Sequence, residues 1–291
     1  MQIAFHLGAP ATDDERLLRA LLQNRDTLAR YGVEVPAPGR YRDVLREAAA
    51  SLKGGVASET LQEAMLDAIV DRDDVRRVVF SNPTFLGMPG YSFSTSGMFP
   101  RAAMRATGLF NLFPSADIEF HLAICHPGIF LQRVAARVKD RTIPQMVNGV
   151  ELNHLRWAPA VRALTQAVPH ARVVVWCNED APFVWPEVMR RVSGVPAAEP
   201  MEGDLLMIQR AMRPEGAVAL DLALTRRTPQ TVQARRAIFA EMLHRFANPE
   251  ITEETIDLPG WTDVTLDLVD EIYDSDAAEI AATPGVEFIA P

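Results

Sequence analysis

The stretch Phe5–Leu18, FHLGAPATDDERLL, decides how the chain folds. Its apolar opening belongs to the run Gln2–Leu7, QIAFHL. It breaks at a glycine–proline turn and gives way to leucines at helical spacing: Leu17, Leu18, Leu21, Leu22 and Leu28. Strand, tight turn and amphipathic helix make up the repeating unit of a parallel sheet, and the turn is a common seat for phosphate. A phosphate-holding turn offers bare N–H groups, several glycines and a lysine. This one offers Gly8 alone, no lysine, and the three consecutive acids Asp13, Asp14 and Glu15.

Three more β-rich runs follow: Arg76–Ser81 (RRVVFS), Asp117–Cys125 (DIEFHLAIC) and Ala171–Cys177 (ARVVVWC). Their centres are apolar without alternation, as in strands covered on both faces. Helical patterns stand between them, such as the stripe Leu61, Met65, Leu66 and Ile69. The expected fold is therefore α/β, a doubly wound, mostly parallel sheet. The alternation fades after Gly194, and helical patterns such as Thr231–Phe246 dominate beyond the connection Ser193–Asp204. The expected organisation is a core over 1–193 and a helical C-terminal appendage over 194–291, with Trp261 and Tyr273 as packing anchors.

Composition narrows the function. With 48% hydrophobic and 23% charged residues, the chain can bury a substantial core. A net charge of −9 opposes general binding to nucleic acid or an anionic membrane, both of which need basic faces. No run approaches the roughly 20 apolar residues of a membrane span, and no basic segment precedes an apolar one at the N-terminus. Two cysteines give no disulfide framework. The expectation is a cytoplasmic protein.

The segment His6–Arg40 resembles the opening of bacterial sulfotransferases, in which a strand, a phosphosulfate-holding loop and a helix ending in an Asn-Arg-x-x-Leu-x-x-x-Gly pattern follow one another. His6, Gly8, Pro10, Thr12, Asn24, Arg25, Leu28, Gly32 and Pro36 fit this pattern, and the ending around Trp261 and Tyr273 is similar too. The resemblance implies a P-loop-type fold and the donor 3′-phosphoadenosine-5′-phosphosulfate. The family's donor-binding residues, however, are replaced. Ala11 stands where the resemblance implies the loop lysine, and Asp13, Asp14 and Glu15 replace Gly-Thr-Thr. After the third strand Pro127 is kept, but Cys125 stands for the arginine and Arg133 for the serine that would hold the 3′-phosphate. Ser81-Asn82-Pro83 replaces a Ser-x-Glu.

From the residues themselves, Thr12-Asp13-Asp14-Glu15 reads as a Thr-x-x-Glu capping box that satisfies its own helix start, with acids at the positive end of the dipole. The resemblance implies that the degenerate loop Gly8, Ala9, Pro10, Ala11, Thr12 and Asp13, together with Cys125 and Arg133, marks the former donor site. The strand ends supply His6, Asn82, His126 and Glu179 as candidates for proton transfer. Cys125, His126 and Cys177 suggest thiol or metal chemistry, but free cysteines are ordinarily buried and these lack close ligand spacing, so no metal is expected. The long loop Asn82–Pro100 reads either as a pocket cover or as an Ω-loop packed by Phe85, Tyr91, Phe93 and Phe99. The expected function is a sulfotransferase-like binding or regulatory protein without a cofactor, taking a small molecule or carbohydrate. The alternative is an active transferase with a rebuilt donor site, which requires several arginines to converge between the first and third strand ends.

Overall fold

The computed structural model describes residues 1–10, 12–147 and 149–291. Six strands form one all-parallel sheet: β1 (Gln2–His6), β2 (Val33–Glu34), β3 (Arg77–Ser81), β6 (Asp117–Ile124), β7 (Arg172–Cys177) and β8 (Val286–Phe288). They lie in the order β2-β3-β1-β6-β7-β8. A separate hairpin, β4 (Phe93–Ser94) and β5 (Gly97–Met98), sits within the long loop after β3. The four strands read from the sequence agree with the observed ones to within a residue at each end.

Helices α1 (Arg16–Gln23), α2 (Arg25–Arg30), α3 (Pro38–Leu52) and α4 (Glu59–Ile69) precede β3, and α5 (Ala102–Phe110) precedes β6. Between β6 and β7 come α6 (Pro127–Ala135), α7 (Ile143–Met146) and α8 (Ala158–Ala167). Beyond β7 lie α9 (Ala181–Ser193), α10 (Leu206–Arg210), α11 (Pro214–Arg227), α12 (Val232–Phe246), α13 (Pro249–Thr252) and α14 (Asp263–Ala281).

Alternate strand residues feed two different cores, because successive side chains of a strand point to opposite faces. Ile3, Phe5, Val78, Phe80, Phe120 and Val175 join the larger core, which includes residues of α3, α5, α6 and α8. Ala4, Val79, Ala123 and Trp176 join the smaller one, with residues of α1 and α9. Both faces are thus covered, which explains the unbroken apolar strand centres. A third cluster, built from Leu220, Ile238, Phe239 and Met242, holds α11 and α12 together.

The last hundred residues contribute more than helices. β8 pairs with β7 and completes the sheet. On α14 the fully buried Asp276 accepts hydrogen bonds from the backbone N–H groups of Trp157 (2.5 Å) and Ala158 (3.1 Å), capping α8. In the loop after β3, Phe85, Phe93 and Phe99 are buried while Tyr91 is 73% exposed, so three of the four aromatics pack inward. Among the described residues no helix is long and apolar enough to cross a membrane.

β1 lies between β3 and β6, so the strand order reverses beside it. This differs from the 3-2-1-4-5-6 order of dinucleotide-binding folds and the 2-1-3-4-5 order of flavodoxin-like ones. It shares with both the crevice that opens outside the C-terminal strand ends at the reversal.

Candidate functional site

The turn after β1 is shaped by Gly8. Its φ is +48°, and a Cβ there would lie 2.9 Å from the Cα of Pro83, so only glycine lets the loops after β1 and β3 touch. Ala9 and Pro10 are buried in the same turn. Ala11 lies outside the described residues. Thr12 turns back on the loop: its N–H and its hydroxyl both donate to the Ala9 carbonyl, at 3.2 and 2.9 Å.

The capping box expected from Thr12 and Glu15 is not made. With the Thr12 hydroxyl engaged by Ala9, the cap passes to Asp13, whose two oxygens accept two donors at once. Oδ1 takes the Glu15 N–H at 3.1 Å and Oδ2 the Leu17 N–H at 3.0 Å, while the Asp13 carbonyl takes the Arg16 N–H at 3.0 Å. The intervening Asp14 and Glu15 adopt left-handed conformations, with φ of 49° and 60°. Two such non-glycine residues in succession cost roughly 1–3 kcal/mol each and persist only where their surroundings hold them. Asp13 is the clamp. Its carboxylate, only 7% exposed, lies on the N–H groups that a phosphate would use.

The other two acids of the triplet are neutralised sideways. Glu15 pairs with Arg42, which also donates to the Ser81 carbonyl at 3.0 Å. Asp14 pairs with Arg137 and, at 3.1 Å, with Arg16.

A cavity of about 940 Å³ opens at the ends of β1, β6 and β7. Four arginines line it, Arg16, Arg133, Arg137 and Arg210, along with Thr12 and Asn178. Five carboxylates face them: Asp14 and Glu179 from the sheet side, and Glu250, Glu253 and Glu254 from the segment at and after α13. Glu254 holds Arg133 in a forked ion pair, with Nε to Oε1 at 2.9 Å. The cavity therefore carries slightly more negative than positive charge.

Glu179 is the proton-transfer candidate that faces this cavity. Crowding by surrounding protein pushes its carboxyl above the usual range, although the His126 N–H (2.8 Å) and the Tyr273 hydroxyl (3.0 Å) both donate to it. His126 lies behind it as the N-cap of α6. Its Nδ1 accepts from the Gly128 N–H at 3.2 Å, which leaves the neutral ring's proton on Nε2. Nε2 is 3.0 Å from Asp270, within ion-pair distance but not aligned as a hydrogen bond.

The remaining candidates lie elsewhere. His6 is buried under the loop; its Nδ1 is 2.9 Å from the Ser81 hydroxyl and its ring stacks on Trp176. Burial pushes its pKa down, against the pull of Asp13 and Glu15, so it is held neutral. Asn82 forms a local turn, accepting from the Thr84 N–H at 3.0 Å, and lines a different groove. Cys125 is fully buried, and burial raises its thiol well above the ordinary value. Burial likewise pushes Cys177 up to about 12. Both thiols stay protonated near neutral pH, which opposes thiolate chemistry. Among the described residues no group of three metal-ligating side chains comes together.

The structure thus unites Thr12, Arg133 and Glu179 of the candidates around one cavity and separates His6, Asn82 and Cys125 from it. Sequence reasoning missed Arg16, Arg210 and the acids Glu250–Glu254. Arg16 was hidden among first-turn residues, and Glu254 sits 121 residues from Arg133, the arginine it engages. The chain matches no protein-family model, no curated protein and no solved structure.

Proposed function

We propose that the chain is a sulfotransferase-like protein whose donor loop is closed by its own acids, and that it serves as a binding or regulatory protein in the cytoplasm. Its ligand is a small polyhydroxylated molecule, a carbohydrate or a similar sulfo-acceptor, taken into the strand-end cavity without a cofactor. The observation that carries this reading is the Asp13 carboxylate on the amides of Glu15 and Leu17. A phosphosulfate approaching that turn would meet occupied donors and like charge. Alternating guanidinium and carboxylate groups suit hydroxyls instead, since the former donate and the latter accept.

A second reading is an active transferase with a rebuilt donor site. It is favoured by the convergence of Arg16, Arg133, Arg137 and Arg210 on the crevice outside β1 and β6, with the raised carboxyl of Glu179 as a proton acceptor. Thermal unfolding with adenosine 3′,5′-bisphosphate, the donor product, separates the two. A ligand at 100 times its Kd stabilises the native state by about 2.7 kcal/mol, or several degrees of Tm for a chain of this size. The binding-protein reading predicts no shift at millimolar ligand. A saturable shift transfers the case to the transferase.

A further inference from the structure

A second cavity, of about 640 Å³, shares no lining residue with the first. It is a groove between α3 and α5, closed at one end by the loop after β3. Its apolar surface comes from Leu45, Phe85 and Leu109, all buried, with Ala49 beside them. Met88 and Met104 form its lip, each 59% exposed, and methionine adapts readily to varied apolar shapes.

The charges around this groove are one-sided. Arg42, Arg46, Lys53 and Arg105 line it and no acid does, in a chain with 38 acids against 29 lysines and arginines. Arg42 is engaged by Glu15, and Arg46 by Asp43 and Glu47 outside the groove. Among the described residues neither Lys53 nor Arg105 has an ion-pair partner.

Gly108 supplies an independent observation. It lies inside α5, where glycine is the poorest choice short of proline. Packing does not demand it, since a Cβ at this position would meet nothing within 4 Å, and it has no positive φ. What its missing side chain preserves is open space in the groove that it lines.

We infer that the α3–α5 groove is a binding site for a small amphiphilic anion, an apolar tail carrying one oxyanion head. The tail lies over Leu45, Ala49, Phe85 and Leu109, and the head, a carboxylate or a phosphate, is met by Lys53 and Arg105. The volume falls within the range of small-molecule sites.

The test is calorimetric titration of the full chain with sodium decanoate and, separately, decyl phosphate, both below their micelle concentrations, beside decanol and decyltrimethylammonium. One-site saturable binding of either anion is expected, at least tenfold tighter than decyltrimethylammonium. Gly108→Leu should weaken anion binding at least tenfold without lowering Tm, because it fills the groove while improving the helix. The double change Lys53→Glu, Arg105→Glu should weaken the anions at least tenfold and leave decanol unchanged. The inference is overturned by no anion binding at millimolar concentration, by equal binding to Gly108→Leu and the original chain, or by binding only to anionic vesicles, which would indicate a membrane contact. None of these results bears on the strand-end cavity.

Discussion

Two cavities in this molecule are lined by four cationic side chains each, and they are electrostatic opposites. In the strand-end cavity three of the four arginines are met by the protein's own acids: Asp14 on Arg16 and Arg137, Glu254 on Arg133. In the α3–α5 groove no acid faces inward. Neither the net charge of −9 nor the number of cationic side chains separates them. What separates them is which distant segment folds over each. The turn after β1 and the α13 segment bring carboxylates to the first, while Met88 and Met104 form the lip of the second. An arginine at a strand end is therefore evidence of anion binding only after its internal partners have been counted.

The largest effect should come from removing the clamp. Asp13→Ala leaves the Glu15 and Leu17 N–H groups without their acceptor and releases two left-handed residues. A lost cap costs about 0.5–2 kcal/mol, so a fall in Tm of roughly 4–8 °C is expected at the upper end of that range. The same variant should bind inorganic sulfate more tightly than the original chain, because a helix start has been vacated. A Tm unchanged within a degree, with no gain in sulfate affinity, would break the contrast between the cavities.

A smaller effect is expected from Glu254→Gln. The pair with Arg133 is about one-third exposed on both sides, and such pairs contribute about 0.2–1 kcal/mol. Stability should fall by no more than that. The cavity becomes one charge more positive, so weak sulfate binding should rise and should disappear again in high salt. Salt-independent binding would contradict the reading.

The smallest effect is a pH dependence. Glu179 holds its proton more strongly when folded than when unfolded, because its surroundings disfavour the carboxylate. Stability must then decline as pH rises from about 4, the ordinary carboxylate range, through the raised value. Glu179→Gln removes that decline while keeping an acceptor for Tyr273. The variant should therefore gain in Tm relative to the original chain as pH rises from about 4. A pH-independent difference would show that folding does not raise the affinity of this carboxyl for its proton.

Much of the fold was legible in local pattern. The four long strands carry continuous apolar centres, and Leu17, Leu18 and Leu21 mark the helix that follows β1, so the doubly wound sheet was read correctly. β8 was not, because three residues after a proline–glycine turn carry too little pattern to announce a strand. At the site, the self-satisfied helix start was anticipated but assigned to the wrong residue. A one-residue shift from Thr12 to Asp13 depends on the Ala9 carbonyl claiming the threonine, which is a matter of turn geometry. The balance of charge in the cavity was not legible, because it rests on acids at and after α13 meeting arginines far away in sequence. Gly108 was visible as a letter, but only the packing around it shows that the space it leaves is empty.

The Glu15 and Leu17 amides are already taken by Asp13. The most direct measurement is a ¹⁵N–¹H spectrum of the full chain titrated with adenosine 3′,5′-bisphosphate to millimolar concentration. The Glu15 and Leu17 resonances should stay in place and first become responsive in Asp13→Ala. Saturable movement of both resonances in the unaltered chain would contradict it, because the loop would then be an open anion site.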